Sequence, residues 1–315
     1  MQLGSDGITA YASCHFHAGA DPRIKNQLTP GGNSRFDIGG GGSNYTLRPQ
    51  DFPFHKLSVD GTTVERSMDD VASSQGMFNA SLVRIMPGLG EEVATPGFGS
   101  VFRVGGVSTR GVEPRNTPTV IDSVFNFRNF WDSRAREIFN GRSPFGPMDR
   151  NARVLVAGPG GTVQAIQVAI DNASLASQAV GPPLSTLEMS FGGRHWPAIG
   201  RKMLVLRPLA KQLVDTTDSV LGRHADGRTR GLRVLNYREL VQAAFQPKYW
   251  SSEARANVNA NAISPPCRGP ELPPAPTTPS WSSTSRYSSG SRSKSMRRRS
   301  FQRIPVRAVY SVTGT

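Results

Sequence analysis

Beyond residue 262 the chain changes texture. "PPCRGPELPPAPTTPS" and "WSSTSRYSSGSRSKSMRRRSFQR" are dominated by proline, serine and arginine, and helical periodicity disappears. A segment of that kind cannot bury enough apolar surface to offset the entropy of ordering it. Residues 263–315 are therefore expected to be a disordered basic tail, and any core must come from residues 1–262. The tail holds nine Lys/Arg against one acid, Glu271, so it carries +8 of the formal +14 and leaves +6 on the other 262 residues. In the body, plentiful glycine and proline (33 and 24 in the whole chain) point to a core carrying long irregular loops. Two cysteines, Cys14 and Cys267, are too few for a disulfide framework. No apolar run is long enough to span a membrane. The start, "MQLGSDGITAYAS", has neither the basic nor the apolar region of a secretory signal, so the residues alone place the chain in the cytosol.

Residues 18–66 read as loop around "TPGGNSRFDIGGGGSNYT", where glycine permits positive φ cheaply. A phosphate cradle at its "GGGG" would need a strand before it and a helix after it, and neither is evident. The pattern over 67–82 predicts a short helix stopping at Gly76. In 118–140, Ile121, Val124, Phe125 and Arg128 follow helical spacing, with Phe130 and Trp131 just after; Phe125 and Phe130 are expected in the core. Alternation at Val163, Ala165, Val168 and Ile170 predicts a strand or hairpin over 160–174. A longer helical pattern covers 198–221, kinked or divided by Pro208. A further helix is predicted over 237–246, because Asn236 and Glu239 have capping-box spacing. The expected fold class is mainly α, with long irregular loops, a small hairpin and a disordered basic tail.

The stretch "ITAYASCHFHAGAD" (8–21) holds half of a haem-attachment motif. In Cys-x-x-Cys-His the two sulfurs bond the haem and the histidine ligates its iron. Cys14 and His15 stand in order, and Tyr11 occupies the place of the first cysteine. Two later blocks belong with it. "RNTPTVIDSVFNFRNFWDSRA" (115–135) resembles the signature of bacterial di-haem cytochrome c peroxidases throughout, except that Ser133 replaces the family glycine. "SQAVGPPLSTLEM" (177–189) resembles the loop that follows, with Gln178 and Glu188 in the familiar relation. The resemblance covers roughly residues 8–255 and implies a cytochrome c-like haem domain over 1–262, incomplete at its N-terminus, with the second haem domain absent.

The resemblance also implies roles. His15 would ligate the haem iron through a neutral imidazole, oriented by a bond from its other nitrogen. Cys14 would supply one thioether; since Tyr11 cannot supply the other, one haem c is expected, held by a single thioether or noncovalently. Glu188 would be the general acid/base of O–O cleavage, helped by Gln178. Trp131 would relay electrons, Arg134 and Asp132 would pair with each other or with a haem propionate, and His17 could touch a propionate as well. Asn116 matches a position that helps bind calcium. Ser108 falls where several family members place a removable distal histidine, which would leave the peroxide side open. His55, His195 and His224 carry no motif and read as structural or exposed.

The function expected is haem-dependent reduction of hydrogen peroxide, with electrons from a small cytochrome or cupredoxin. Turnover with a protein donor is expected to be impaired without the second haem. Relatives are often homodimers and mature in the periplasm. The alternative is a nonenzymatic or vestigial protein whose tail binds nucleic acid or other polyanions through phosphate contacts.

Overall fold

The computed structural model describes residues 2–15, 21–38, 40 and 42–252. The expectations for the basic tail, Cys267 and His17 lie outside these residues.

The expectation of a mainly α fold is overturned. Among the described residues there are four α-helices: α1 (Tyr11–Cys14), α2 (Ser174–Ala179), α3 (Trp196–Met203) and α4 (Tyr237–Ala244), none longer than eight residues. Twelve short strands accompany them: β1 (Leu28–Thr29), β2 (His55–Leu57), β3 (Val64–Ser67), β4 (Val71–Ala72), β5 (Gln75–Phe78), β6 (Ala80–Arg84), β7 (Val93–Pro96), β8 (Arg103–Val104), β9 (Val107–Ser108), β10 (Arg110–Val112), β11 (Val154–Ala157) and β12 (Val163–Ile166). They pair antiparallel as six two-stranded ladders: β1–β4, β2–β3, β5–β10, β6–β7, β8–β9 and β11–β12. Among the described residues no helix is long and apolar enough to cross a membrane.

The reasons are local. The segment expected to be helical over 67–82 forms β4, β5 and the start of β6. Gly76 lies so close to the next layer that a Cβ there would come within 1.7 Å of the Leu187 carbonyl oxygen. Its value is close backbone approach rather than helix termination. Over 118–140 only one 3₁₀ turn forms, Ser123–Phe125. Asp122, Phe130 and Ser133 all adopt positive φ, which a helix cannot absorb. Phe125 is consequently 71% exposed rather than in the core, and Phe130 is half-buried. The pattern at 198–221 yields α3, which already ends at Met203, and then turns; Pro208 and the positive φ of Leu209 are incompatible with helix resuming there. Of the strand or hairpin expected over 160–174 only β12 forms; it pairs backward with β11 at 154–157, outside that range, and Val168 and Ile170 lie beyond the ladder. α4 begins where expected, the Asn236 side chain accepting from the Glu239 amide at 3.3 Å.

Among the described residues the buried apolar side chains include three small clusters: Leu28, Ile38 and Leu47; Phe139, Ala173 and Val180; Val214, Ala225 and Leu232. Two connections matter for function. The β5–β10 ladder sets Gln75 opposite Val112, so that Glu113 follows directly at its end. A bridge between β6 and Gly192, with Leu82 N donating to the Gly192 carbonyl at 2.9 Å, holds the turn carrying Glu188 against the same region.

Candidate functional site

α1 is a single turn, and side chains rather than length define it. The Ser13 hydroxyl accepts from the Ala10 amide at 3.0 Å, and the His15 amide donates to the Tyr11 carbonyl at 2.8 Å. The Tyr11 hydroxyl donates to the Ala179 carbonyl at the end of α2. The residue standing in place of a first cysteine is thus a tether between two helices. Cys14 is half-buried and contacts the Gln75 carbonyl at 3.6 Å. Burial, then the negative charges of Glu113 and Glu188, push its thiol up to about 12. His15 bonds the Pro118 carbonyl, its Nδ1 is buried without a partner, and burial pushes its ring below the usual histidine range. A neutral imidazole with one ring nitrogen free is the form that ligates a metal.

His15 and Cys14 open onto a cavity of about 350 Å³, within the size range of small-molecule sites. Its other walls come from the 113–123 segment, Phe130, α2 and the turn around Glu188. That turn is tight, since the amides of Glu188, Met189 and Ser190 all donate to the Ser185 carbonyl. Glu188 is half-buried and lines the cavity. Burial raises its carboxyl above the ordinary value, opposed by a Ser185 bond and by the charges of Arg115 and Arg134. Gln178 is 8% exposed, and its Oε1 has no partner.

Glu113 belongs to the site and carried no signal of its own in the sequence. It is 9% exposed, and burial followed by the Glu188 charge pushes it to about 8. Two hydrogen bonds oppose that rise, from Thr117 and from Cys14, and burial outweighs them. Thr117 Oγ1 donates to Glu113 Oε1 at 2.9 Å, Ser74 Oγ donates to Asp21 Oδ2 at 2.7 Å, and the two hydroxyl oxygens stand 2.7 Å apart. Burial works against the charge on Asp21, but bonds from Arg23 and Ser74 outweigh it and keep that carboxyl low. The nearest sequence cue to Glu113 is its position two residues before Arg115, at the edge of the 115–135 block.

The remaining expected residues lie outside this cavity's walls. Trp131 is 77% exposed, although its neighbour Phe130 lines the cavity. Arg134 Nε and Arg115 Nη2 both pair with Asp132 Oδ2 at 2.9 Å, which is the Asp132–Arg134 pairing expected. Asn116 is exposed and donates to the Ala72 carbonyl at 3.0 Å. Ser108 sits in the β8–β9 hairpin opposite Arg103. His195 caps α3, Nδ1 accepting from the Ala198 amide at 3.2 Å, a structural role.

The donor set fits a haem. It combines a neutral histidine with a free buried nitrogen, an adjacent thiol, apolar walls from Val120, Phe130, Leu175 and Met189, and a carboxyl and an amide across the space. Residues 91–265 match the family model for di-haem cytochrome c peroxidase. That span contains Glu113, Gln178 and Glu188, while Cys14 and His15 precede it. No curated protein and no solved structure matches the chain.

Proposed function

The chain belongs to the di-haem cytochrome c peroxidase family, and from that premise we propose that the cavity between α1 and the Glu188 turn holds one haem and reduces hydrogen peroxide. The observation that supports this reading is convergence. Cys14, His15, Gln178 and Glu188, up to 174 positions apart in sequence, line one cavity, and His15 Nδ1 and Gln178 Oε1 are buried without a hydrogen-bond partner.

Bound haem would supply the redox-active iron at which peroxide is taken up and reduced. The chain's own residues do the rest. His15 ligates through its unprotonated ring nitrogen, and the Pro118 carbonyl fixes the ring. Cys14 contributes one thioether, while Tyr11 holds α1 against α2 in place of a second. Reduction of peroxide to two waters consumes two electrons and two protons. Glu188 takes the proton from one peroxide oxygen and returns it to the other. Gln178 offers Oε1 to the peroxide O–H and so orients it. Glu113, carrying its own proton, spares Glu188 a second negative charge in the same space. Electrons enter from a small cytochrome or cupredoxin by way of exposed Trp131, the sequence neighbour of Phe130 on the cavity wall. The periplasm, where family members typically mature, is the expected location.

The test is to express the full chain behind a secretion signal in a cytochrome c maturation host and record its spectrum, its intact mass after denaturation and its peroxide turnover. A Soret band lost in His15→Ala is expected, with mass corresponding to one haem if Cys14 alone suffices for attachment. Glu188→Gln should keep the Soret band and lose roughly 10²–10⁴-fold in turnover. Bare polypeptide mass with no Soret band before denaturation would overturn the proposal.

A further inference from the structure

Away from the cavity, three carboxylates come together where β1 meets β4. Asp69 and Asp70 lie immediately before β4, and Asp37 lies at the end of the loop that leaves β1 and folds back over it. One carboxylate oxygen from each lies within 4.8 Å of the others. Asp37 and Asp69 are exposed, and Asp70 is 4% exposed.

The backbone holds two of these groups from one side. Asp70 Oδ2 accepts from the amides of Asp37 at 2.9 Å and Ile38 at 3.1 Å. Asp69 Oδ2 accepts from the amides of Gly32 at 2.9 Å and Asn33 at 3.1 Å, and its Oδ1 accepts from Asn33 Nδ2 at 2.8 Å. Gly31 lets the loop come this close: its φ is +51°, and a Cβ there would lie 2.2 Å from the Asp69 carbonyl oxygen. These bonds leave one oxygen unaccounted for, since Asp70 Oδ1 is buried and has no hydrogen-bond partner. A buried carboxylate oxygen without a donor is costly. Among the described residues no lysine or arginine forms a salt bridge with any of the three carboxylates.

We propose that Asp37, Asp69 and Asp70 form a binding site for a hard divalent cation of the calcium class, with Asp70 Oδ1 as its buried ligand. All the donors are oxygens, which suits a hard cation and disfavours zinc or copper, whose sites draw on histidine and cysteine. Two exposed carboxylates leave room for water to complete a coordination number of six to eight, the irregular shell that calcium accepts and magnesium does not. The site pins the 30–38 loop to β4. It is separate from Asn116, whose side-chain amide is bonded to Ala72.

The experiment uses the full chain freed of metal with a chelator, titrated calorimetrically with calcium chloride and separately with magnesium chloride, with thermal melts in parallel. Saturable one-site calcium binding is expected with a dissociation constant below about 1 mM, tighter than for magnesium, with a rise in melting temperature. Asp37→Asn removes an exposed charge, so its fold is not at risk, and it should weaken binding by about tenfold or more. Asp70→Asn should abolish binding while keeping an acceptor for the two amides. Absence of saturable calcium binding would overturn the site. Binding unchanged in both variants would place the ion elsewhere and overturn it equally, and a preference for magnesium would overturn the calcium assignment. None of these readouts depends on haem.

Discussion

Glu113 and Glu188 face one small space, and two full negative charges there would repel at short range with little water between them. Keeping the proton on Glu113 resolves the conflict, and burial together with the Glu188 charge pushes its carboxyl in that direction. The consequence is a sign for pH dependence. Glu113 rises from an ordinary 4.5 to about 8. Between those values the folded chain holds a proton that the unfolded chain has released, so stability falls as pH rises through the window, and the loss is complete above about 8. Denaturant melts of the haem-free chain from pH 5 to pH 8 should show a loss of roughly a few kcal/mol. Glu113→Gln should remove the Glu113 share of that slope, leaving what Glu188 contributes; equal slopes in the two proteins would refute the assignment. At this scale the sequence was informative where chemistry is written in consecutive residues. Cys14 and His15 announce themselves by adjacency, and Gln178 and Glu188 by their block. Glu113 and Thr117 matter only because folding brings β5, β10 and the Glu188 turn together, which no local pattern encodes.

Short elements place the site, and a four-residue helix is stable only if something outside it holds it. For α1 that support is the Tyr11 hydroxyl, which also satisfies Ala179, one of the carbonyls left unpaired at the C-terminus of α2. Tyr11→Phe keeps the ring and deletes the bond, leaving a partly buried carbonyl without a donor. The expected cost is about 1–3 kcal/mol in global stability, with faster amide hydrogen exchange confined to α1 and the end of α2. Unchanged exchange there would mean that packing alone holds the turn. The same shortness explains which elements were legible. α4 could be read because its cap and its helical pattern coincide at Asn236 and Glu239. β4, β5 and β6 could not, because a ladder two to five residues long is set by its partner strand and by Gly76 meeting Leu187, both far away in sequence. The 118–140 pattern failed for a complementary reason: residues that fit a helix by spacing sit on a backbone with positive φ at three positions.

The apolar clusters of the described residues are small and separate in sequence, and a buried ionic group joins distant segments. Glu92, Arg194 and Lys202 have fully buried side chains. Glu92 Oε1 accepts from Arg194 Nη2 at 2.8 Å and from Lys202 Nζ at 3.0 Å. Lys202 also donates to the Gly4 carbonyl at 2.7 Å, and Arg194 Nη1 donates to the carbonyls of Pro183 and Met189 at 3.1 and 3.2 Å. The group therefore ties the N-terminal segment that leads into α1 to both ends of the stretch carrying Glu188. Burial, against the pull of Glu92, lowers Lys202 to about 8, so near neutral pH it still carries its charge. Removing the single negative charge would leave two buried cations facing each other. Glu92→Gln should then cost about 3–5 kcal/mol, the usual penalty for breaking a buried pair from one side. Glu92→Gln combined with Lys202→Met removes one cation as well and should recover part of that loss, because a buried pair replaced by apolar volume is often neutral. The links through Met189 and Gly4 make a functional effect follow from the structural one. Haem retention should fall in the single variant and return in the double, measured as the Soret band remaining after dialysis. Full retention in a measurably destabilised Glu92→Gln protein would mean that α1 and the Glu188 turn hold their places without the ionic group, and that the cavity is a local structure rather than a property of the whole molecule.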